Sequence, residues 1–431
     1  MIRLVRVRFH DGHFGETRST FHKQPADRSA GGGRAQADRS RILLRTEMTP
    51  GGIHLAVDAV GTRFGGAATV LTDFIAAAVA NPRIHRLTLF VSPREQRMFE
   101  LPAADRVYTQ DVLANGGFKR ILWLIEGLPR AVQKFEAQAL YCLGNGGVGP
   151  PNIATAVLIQ QSIPFYREGL QRLGIGDRLR MTAIREVMRL SCRRAELVVV
   201  QSKAMRDRIE SDLGVDGSKL LVSHPSARKR APRNADDPQL TRMRDAPRSC
   251  RLLYVGNARP YKNLDFLLRA LYSARARGAQ WRLFMTCPPS HPLCAPPFVV
   301  GLGTLQPEAL WAAYELADVL VMPSLVETVG LPMLEAASAG TPVLAADRPY
   351  ARETCGDGAL YFDPQDIADF QTKLDRLMTD HELRLNLIGR GRVLSAKREK
   401  ERPYERLVDE LVALASNGRS GPASRAHSGR C

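Results

Sequence analysis

The chain has 431 residues, 44% of them hydrophobic and 6% aromatic, and a formal net charge of +17. That length exceeds one ordinary core, so two domains are the expectation. No run of eighteen or more uncharged apolar residues is present, which argues against a membrane-spanning helix.

Residues 1–47 hold ten Arg/Lys against five Asp/Glu, are rich in Gly, Ser and Arg, and precede Met48. They are expected to be a disordered or misassigned leader, with Met48 as the natural start. From Gly52 the pattern turns regular: strand Ile53 to Val60, loop Gly61 to Gly66, then a helical run to Ala80. Strands follow at Arg86 to Ser92, Ala154 to Gln160 and Glu196 to Ser202, with helices over Gly116 to Ala139 and Gly174 to Arg194. Apolar strands alternating with amphipathic helices predict a mostly parallel sheet covered on both faces, over residues 48–225. Residues 226–249 change to Arg, Pro, Asp and Asn and read as a linker.

A second such unit is predicted over 250–398, opening with strand Arg251 to Gly256 and the helix from Asn263. Residues 399–415 read as a helix that crosses back to the first unit, and 416–431 as a loose polar tail. The fold class is therefore α/β, with two Rossmann-like doubly wound domains facing across a cleft, and ligands are expected outside the carboxyl ends of the strands.

The second unit carries the chemistry. In GNARPYKNL (Gly256 to Leu264) a glycine turns the chain after a strand, and Lys262 arrives at a helix start where a cation and backbone N–H groups suit a diphosphate. Arg259 adds a second charge. Taken alone, a solvated lysine at a helix start is the blander reading. PSLVETVGLPMLEAASAGTPVLAAD (Pro323 to Asp347) is a strand-helix-strand unit, with Gly330 as the corner and Leu331-Pro332 opening the helix. It sets Glu327 at the loop mouth and Glu335 in the early helix. Two carboxylates there suit the hydroxyls of a sugar or ribose better than phosphate.

These motifs, with GALYFDP (Gly358 to Pro364), closely resemble the second domain of family 4 glycosyltransferases, retaining enzymes of the GT-B fold. The match runs over roughly residues 250–365 and more faintly over 52–215. The resemblance implies that Glu335 binds the nucleotide ribose, Glu327 the donor-sugar hydroxyls and Lys262 the distal phosphate. Backbone around Thr328, Val329, Gly330 and Leu331 would line the sugar, and Phe298 to Leu305 the base pocket. Gly65-Gly66 match the family's glycine pair near an acceptor or donor phosphate. Three departures stand out: Asn257 follows Gly256 where many relatives have arginine, Tyr261 precedes Lys262 where others have arginine, and no histidine follows Ala154 to Gln160. Gln161 is the residue left to donate a hydrogen bond there.

The implied reaction moves a hexosyl unit from a nucleotide-sugar to a glycan or lipid-linked hydroxyl with retention, without a metal or cofactor. No Asp-x-Asp motif is seen. A sugar-nucleotide epimerase, a phosphorylase-type enzyme or a silent binding scaffold are the alternatives on the same frame. Cys287, His291 and Cys294 lack a fourth partner at finger spacing, so a structural metal is not expected. Sparse aromatics away from the basic runs argue against nucleic acid. The seven scattered cysteines, with no signal peptide, point to the cytoplasm. Basic helices Gly116 to Arg130, with Trp123, and Arg178 to Arg194, with six arginines, suit an anionic leaflet, which would bring the cleft to the inner face of the plasma membrane.

Overall fold

A computed structural model describes residues 52–62, 66–91, 107–111, 117–227, 237–247 and 251–418. The expected leader, Gly65, and most of the expected tail lie outside the described residues, as does much of the expected linker.

The first sheet has seven parallel strands: β1 (Ile53–Asp58), β2 (Ile84–Val91), β3 (Val107–Asp111), β4 (Ala139–Cys142), β5 (Ala154–Ile159), β6 (Leu197–Val200) and β7 (Leu220–Val222). Their order is β3-β2-β1-β4-β5-β6-β7. The second has six: β8 (Arg251–Tyr254), β9 (Arg282–Met285), β10 (Val299–Gly301), β11 (Val319–Met322), β12 (Val343–Ala346) and β13 (Leu360–Phe362), in the order β10-β9-β8-β11-β12-β13. Both are doubly wound, and in each the strand order reverses between the first strand and the fourth. Loops leaving those two neighbouring strands at their carboxyl ends diverge to opposite faces and open a crevice.

The helices that matter below are α1 (Gly66–Ala80), α2 (Ile175–Arg194), α3 (Lys203–Leu213), α4 (Leu264–Ala276), α5 (Pro307–Leu316), α6 (Leu331–Ala339), α7 (Pro349–Cys355) and α8 (Pro403–Gly418). Strand residues are apolar on both faces because helices cover both, which is why VLVM of β11 and VLAA of β12 are wholly buried. Helix α8 repeats apolar residues at helical spacing, and Tyr404, Leu407, Val408, Leu411, Val412 and Ala415 all pack into the first sheet's core beside Phe74 of α1. The end of the chain thus buries its stripe in the domain where the chain began.

Several expected elements come out differently. The single helix expected from Gly116 to Ala139 is broken: an α-helix over Gly117–Leu122 passes through a π-turn, Trp123–Gly127, into another over Leu128–Lys134, and strand β4 follows. The π-turn turns Trp123 inward, where its ring meets Phe90 edge-on at 5.5 Å and its Nε1 donates to Asp58 Oδ1 at 3.0 Å. Arg120 donates twice to the same buried carboxylate, at 3.1 and 2.6 Å, and Gly144 leaves it room, since a Cβ there would lie 2.4 Å from the guanidinium. Arg120 and Trp123 are therefore spent on Asp58 at the end of β1, not presented to a membrane. Part of the expected linker is also structured: Leu240, Met243 and Ala246, spaced three apart, bury one face of a short helical turn in the second domain's core. Their spacing is diluted by Arg, Asp and Pro, which is why composition alone read the stretch as unpacked.

Candidate functional site

The crevice of the second domain is built by the two corners that leave β8 and β11. After β8 the chain makes a 3-10 turn, Pro260–Lys262, which Asn263 ends in the left-handed region before α4 begins. Leu325 N–H donates to the Tyr261 carbonyl at 2.9 Å, so the two corners are hydrogen-bonded side by side. Lys262 is buried and forms an ion pair with Glu327 from the β11 corner. A pair this desolvated persists because each charge is matched, and removing either partner strands the other.

The β11 corner is pinned from behind by α7. Tyr350 donates its hydroxyl to the Ser324 carbonyl at 2.7 Å, and Thr354 Oγ1 donates to the Val329 carbonyl at 2.6 Å. Gly330 then turns with φ +78° and caps α6, a left-handed conformation that favours glycine, with Met333 Cε packed close against it. Glu335 is not part of the Lys262 pair. It stands one turn into α6, where Tyr314 of α5 donates to its Oε2 at 2.6 Å. Burial, and then the Glu335 charge, raise the Tyr314 hydroxyl well above its ordinary value and keep it a donor.

On the β8 side, Gly256 N–H donates to Thr286 Oγ1 at 2.9 Å, and the Asn257 carbonyl accepts from the Tyr254 hydroxyl at 2.8 Å. Arg259 is exposed at the start of the 3-10 turn. Tyr261 packs with Ile163, Leu173 and Met181 of the first domain, and the Lys262 ammonium lies 5.5 Å from its ring centre. Where an arginine would bring charge, this chain brings an apolar contact between domains.

The first domain faces these corners directly. Thr328 Oγ1 donates to the Gln160 carbonyl, at the end of β5, at 2.6 Å. A Cβ on Gly66 would meet Leu331 Cδ1 at 2.7 Å, so the start of α1 and the start of α6 touch across the cleft. Gln160 and Gln161 N–H groups both donate to Asn145 Oδ1, at 2.6 and 2.8 Å, and Gln161 Nε2 contacts Met181 Sδ at 3.2 Å. The long-range tethers Asn145, Thr286 and Tyr314 went unread in the sequence. Only Asn145 leaves a local trace, as an asparagine in a glycine run that takes φ +63°. Among the described residues no group of three or more His, Cys, Asp or Glu is placed to hold a metal ion.

A second bridge lies away from the Lys262 corner. Glu353 of α7 accepts from the N–H groups of Lys203 and Ala204, at 2.5 and 3.1 Å, at the positive end of α3 in the first domain. It also meets His224 Nε2 at 3.0 Å. Arg348 and Glu168 add an ion pair across the domains at 2.9 Å.

Residues 249–380 match the family model described as Glycosyl transferases group 1. That match takes in most of the second domain and less than a third of the chain. A sulfoquinovosyl transferase of Arabidopsis thaliana is 42% identical over 113 residues, which are 25% of this chain and 21% of that protein. An O-antigen chain mannosyltransferase of Salmonella typhimurium is 26% identical over 203 residues, 45% of this chain and 54% of that one. The chain thus spans from a fifth to about half of these curated relatives. HepE of Anabaena, solved in complex with UDP-glucose, superposes with a TM-score of 0.58 at 15% identity, over 85% of this chain and 99% of that one. Other solved glycosyltransferases align over both domains as well, and the fold is GT-B. Within the matched region the motif residues lie at the carboxyl ends of β8 and β11, where the strand order reverses.

Burial alone would raise the Glu353 carboxyl, but the bonds from His224, Lys203 and Ala204 outweigh it and hold the carboxyl below its ordinary value. A depressed acid contributes stability above its unfolded value of ~4.3 and loses it as pH falls through the folded value. Glu353→Gln is therefore expected to cost on the order of 1–2 kcal/mol at pH 7. Urea unfolding should show that gap closing below about pH 4, and a gap unchanged at low pH would contradict the bridge.

Proposed function

We propose that the chain is a glycosyltransferase that moves a hexosyl unit from a nucleotide-sugar to a hydroxyl of a glycan or lipid-linked acceptor, with retained configuration, in cell-envelope polysaccharide synthesis. The observation that carries this reading is the buried Lys262–Glu327 pair at the strand-order reversal, with Glu335 held by Tyr314 one turn along α6. The group 1 match, and a structural neighbour solved with UDP-glucose, support it.

In this reading the donor's diphosphate competes with Glu327 for the Lys262 ammonium. Glu327, released, accepts from the hydroxyls of the sugar, and Glu335 accepts from those of the ribose. Arg259 and the backbone of Gly256 and Asn257 flank the phosphates, and the corner Thr328 to Leu331 lines the sugar. As the bond between the anomeric carbon and the phosphate oxygen breaks, negative charge grows on the leaving phosphate beside Lys262. That group favours the transition state more than the ground state. The acceptor hydroxyl enters on the same face, passes its proton to the leaving phosphate oxygen and bonds to the anomeric carbon. Gly65, Gly66 and Gln161 belong to the acceptor side.

Lys262→Ala and Glu335→Ala should each lower kcat/KM by roughly 10² to 10³ while the circular dichroism spectrum stays folded. The assay is transfer from a panel of UDP-, GDP-, ADP- and dTDP-sugars, and full activity in either variant would refute the assignment.

No helix among the described residues is long and apolar enough to cross a membrane. We propose instead a peripheral contact with an anionic bilayer, made by the first turns of α2, where Ile175 and Leu179 are 78% and 68% exposed beside the exposed Arg172 and Arg180. Met181, two residues on, touches Gln161, so this tip adjoins the acceptor side. Vesicles containing phosphatidylglycerol at low salt should co-sediment the protein, and Ile175→Asp with Leu179→Asp should weaken this at least tenfold. A wild type that stays in the supernatant would exclude the contact.

A further inference from the structure

The loop after β9 holds a pair of cysteines that sugar transfer does not use. Cys287 Sγ and Cys294 Sγ are 3.3 Å apart, one at the end of β9 and the other closing the 3-10 turn Pro292–Cys294. No metal explains the pairing: His291 turns its Nδ1 to the Leu293 N–H at 3.2 Å, and the two sulfurs have no third ligand among the described residues. The two thiols differ in access. Cys287 is 4% exposed, whereas Cys294 is partly open to solvent.

We propose that Cys287 and Cys294 are a redox-sensitive modification site, closing to a reversible intramolecular disulfide when the protein meets a peroxide. Cys294 Sγ, the accessible sulfur, attacks one peroxide oxygen; the O–O bond breaks, one water leaves and a sulfenic acid remains. Cys287 Sγ then attacks that sulfur, the S–O bond breaks, a second water leaves and the S–S bond forms. Two thiols and one hydrogen peroxide give one disulfide and two waters, and a small thiol reverses the bond by exchange. The sulfurs need approach by only about 1 Å to reach the ~2.05 Å bond length. Burial first, and then the bond to Cys294, push the Cys287 thiol up to about 12, so at neutral pH it is a poor first target for oxidant. Held against its partner, it still resolves the sulfenic acid by proximity.

The consequence reaches the donor corner. The Cys287 carbonyl accepts from Gly303 N–H at 2.8 Å, and Thr286, next in chain, accepts from Gly256 N–H through its Oγ1. Closing an eight-residue ring on Cys287 tightens the strand end that holds both amides. This coupling rests on the donor-site reading for its meaning, whereas the disulfide is detected chemically whether or not the chain transfers sugar.

The test treats the full-length protein with excess hydrogen peroxide, alkylates remaining thiols after unfolding, and maps the digest by mass spectrometry. A linkage between Cys287 and Cys294, two hydrogens lighter and reversed by dithiothreitol, is expected. Cys287→Ser should leave a sulfenic acid on Cys294 that dimedone traps, and Cys294→Ser, at the more exposed position, should leave Cys287 reduced. Alkylation of both cysteines in peroxide-treated wild type, or pairing of either with Cys250 or Cys431, would overturn the proposal. Hydrogen exchange should slow in the peptides containing Gly256 and Gly303 on oxidation, and unchanged exchange there would overturn the coupling to the cleft.

Discussion

One buried ion pair organises the second domain's crevice. Lys262 and Glu327 come from separate strand-to-helix corners, 65 residues apart in sequence, and each offsets the other's charge in a largely desolvated setting. The surrounding bonds hold the two corners at the spacing the pair requires: Leu325 to the Tyr261 carbonyl, Tyr350 to the Ser324 carbonyl, Thr354 to the Val329 carbonyl. Gly330 and Asn263, both in left-handed conformations, let each chain turn into its helix immediately beyond. In the proposed reading, an anionic donor entering here meets the Lys262 ammonium already positioned and displaces the Glu327 carboxylate from it.

The same corners are also the contact between domains. Thr328 reaches the Gln160 carbonyl, Leu331 meets the start of α1, and Tyr261 packs among Ile163, Leu173 and Met181. Further out, Glu353 closes the far side by capping α3. Motion of one domain against the other therefore acts directly on the loops that frame the crevice. The replacement of a charged residue by Tyr261 fits this view, since it moves that position from electrostatics to interdomain packing.

How much of this was legible in the sequence depended on how local the cause was. The strands β1, β5, β8, β11 and β12 announce themselves because buried parallel strands are dominated by Val, Leu, Ile and Ala with few polar residues between them. β3, with the polar text VYTQD at the sheet's edge, does not, and β4 merges with the helical pattern before it. The break at Trp123–Gly127 is marked in the sequence only by Gly127 and by Pro129 just beyond it, while the buried partner of Trp123, Asp58, lies 65 residues away. At the site, Lys262, Glu327 and Glu335 could be read because a turn glycine, a proline and a helix start fix their places within a few residues. Tyr314, Asn145 and Thr286 could not, because each acts through a partner that only the folded sheet brings near. The cysteine pair is intermediate: its spacing of seven was visible, but the proximity of the sulfurs depends on the turn at Pro292.

The most direct measurement is an experimentally determined structure of the full chain with a nucleoside diphosphate-sugar bound. The account requires the distal phosphate within hydrogen-bond distance of Lys262 Nζ, the Lys262–Glu327 pair opened, and the ribose hydroxyls on Glu335. A ligand bound elsewhere, or bound with the ion pair intact and the ribose away from Glu335, would contradict it.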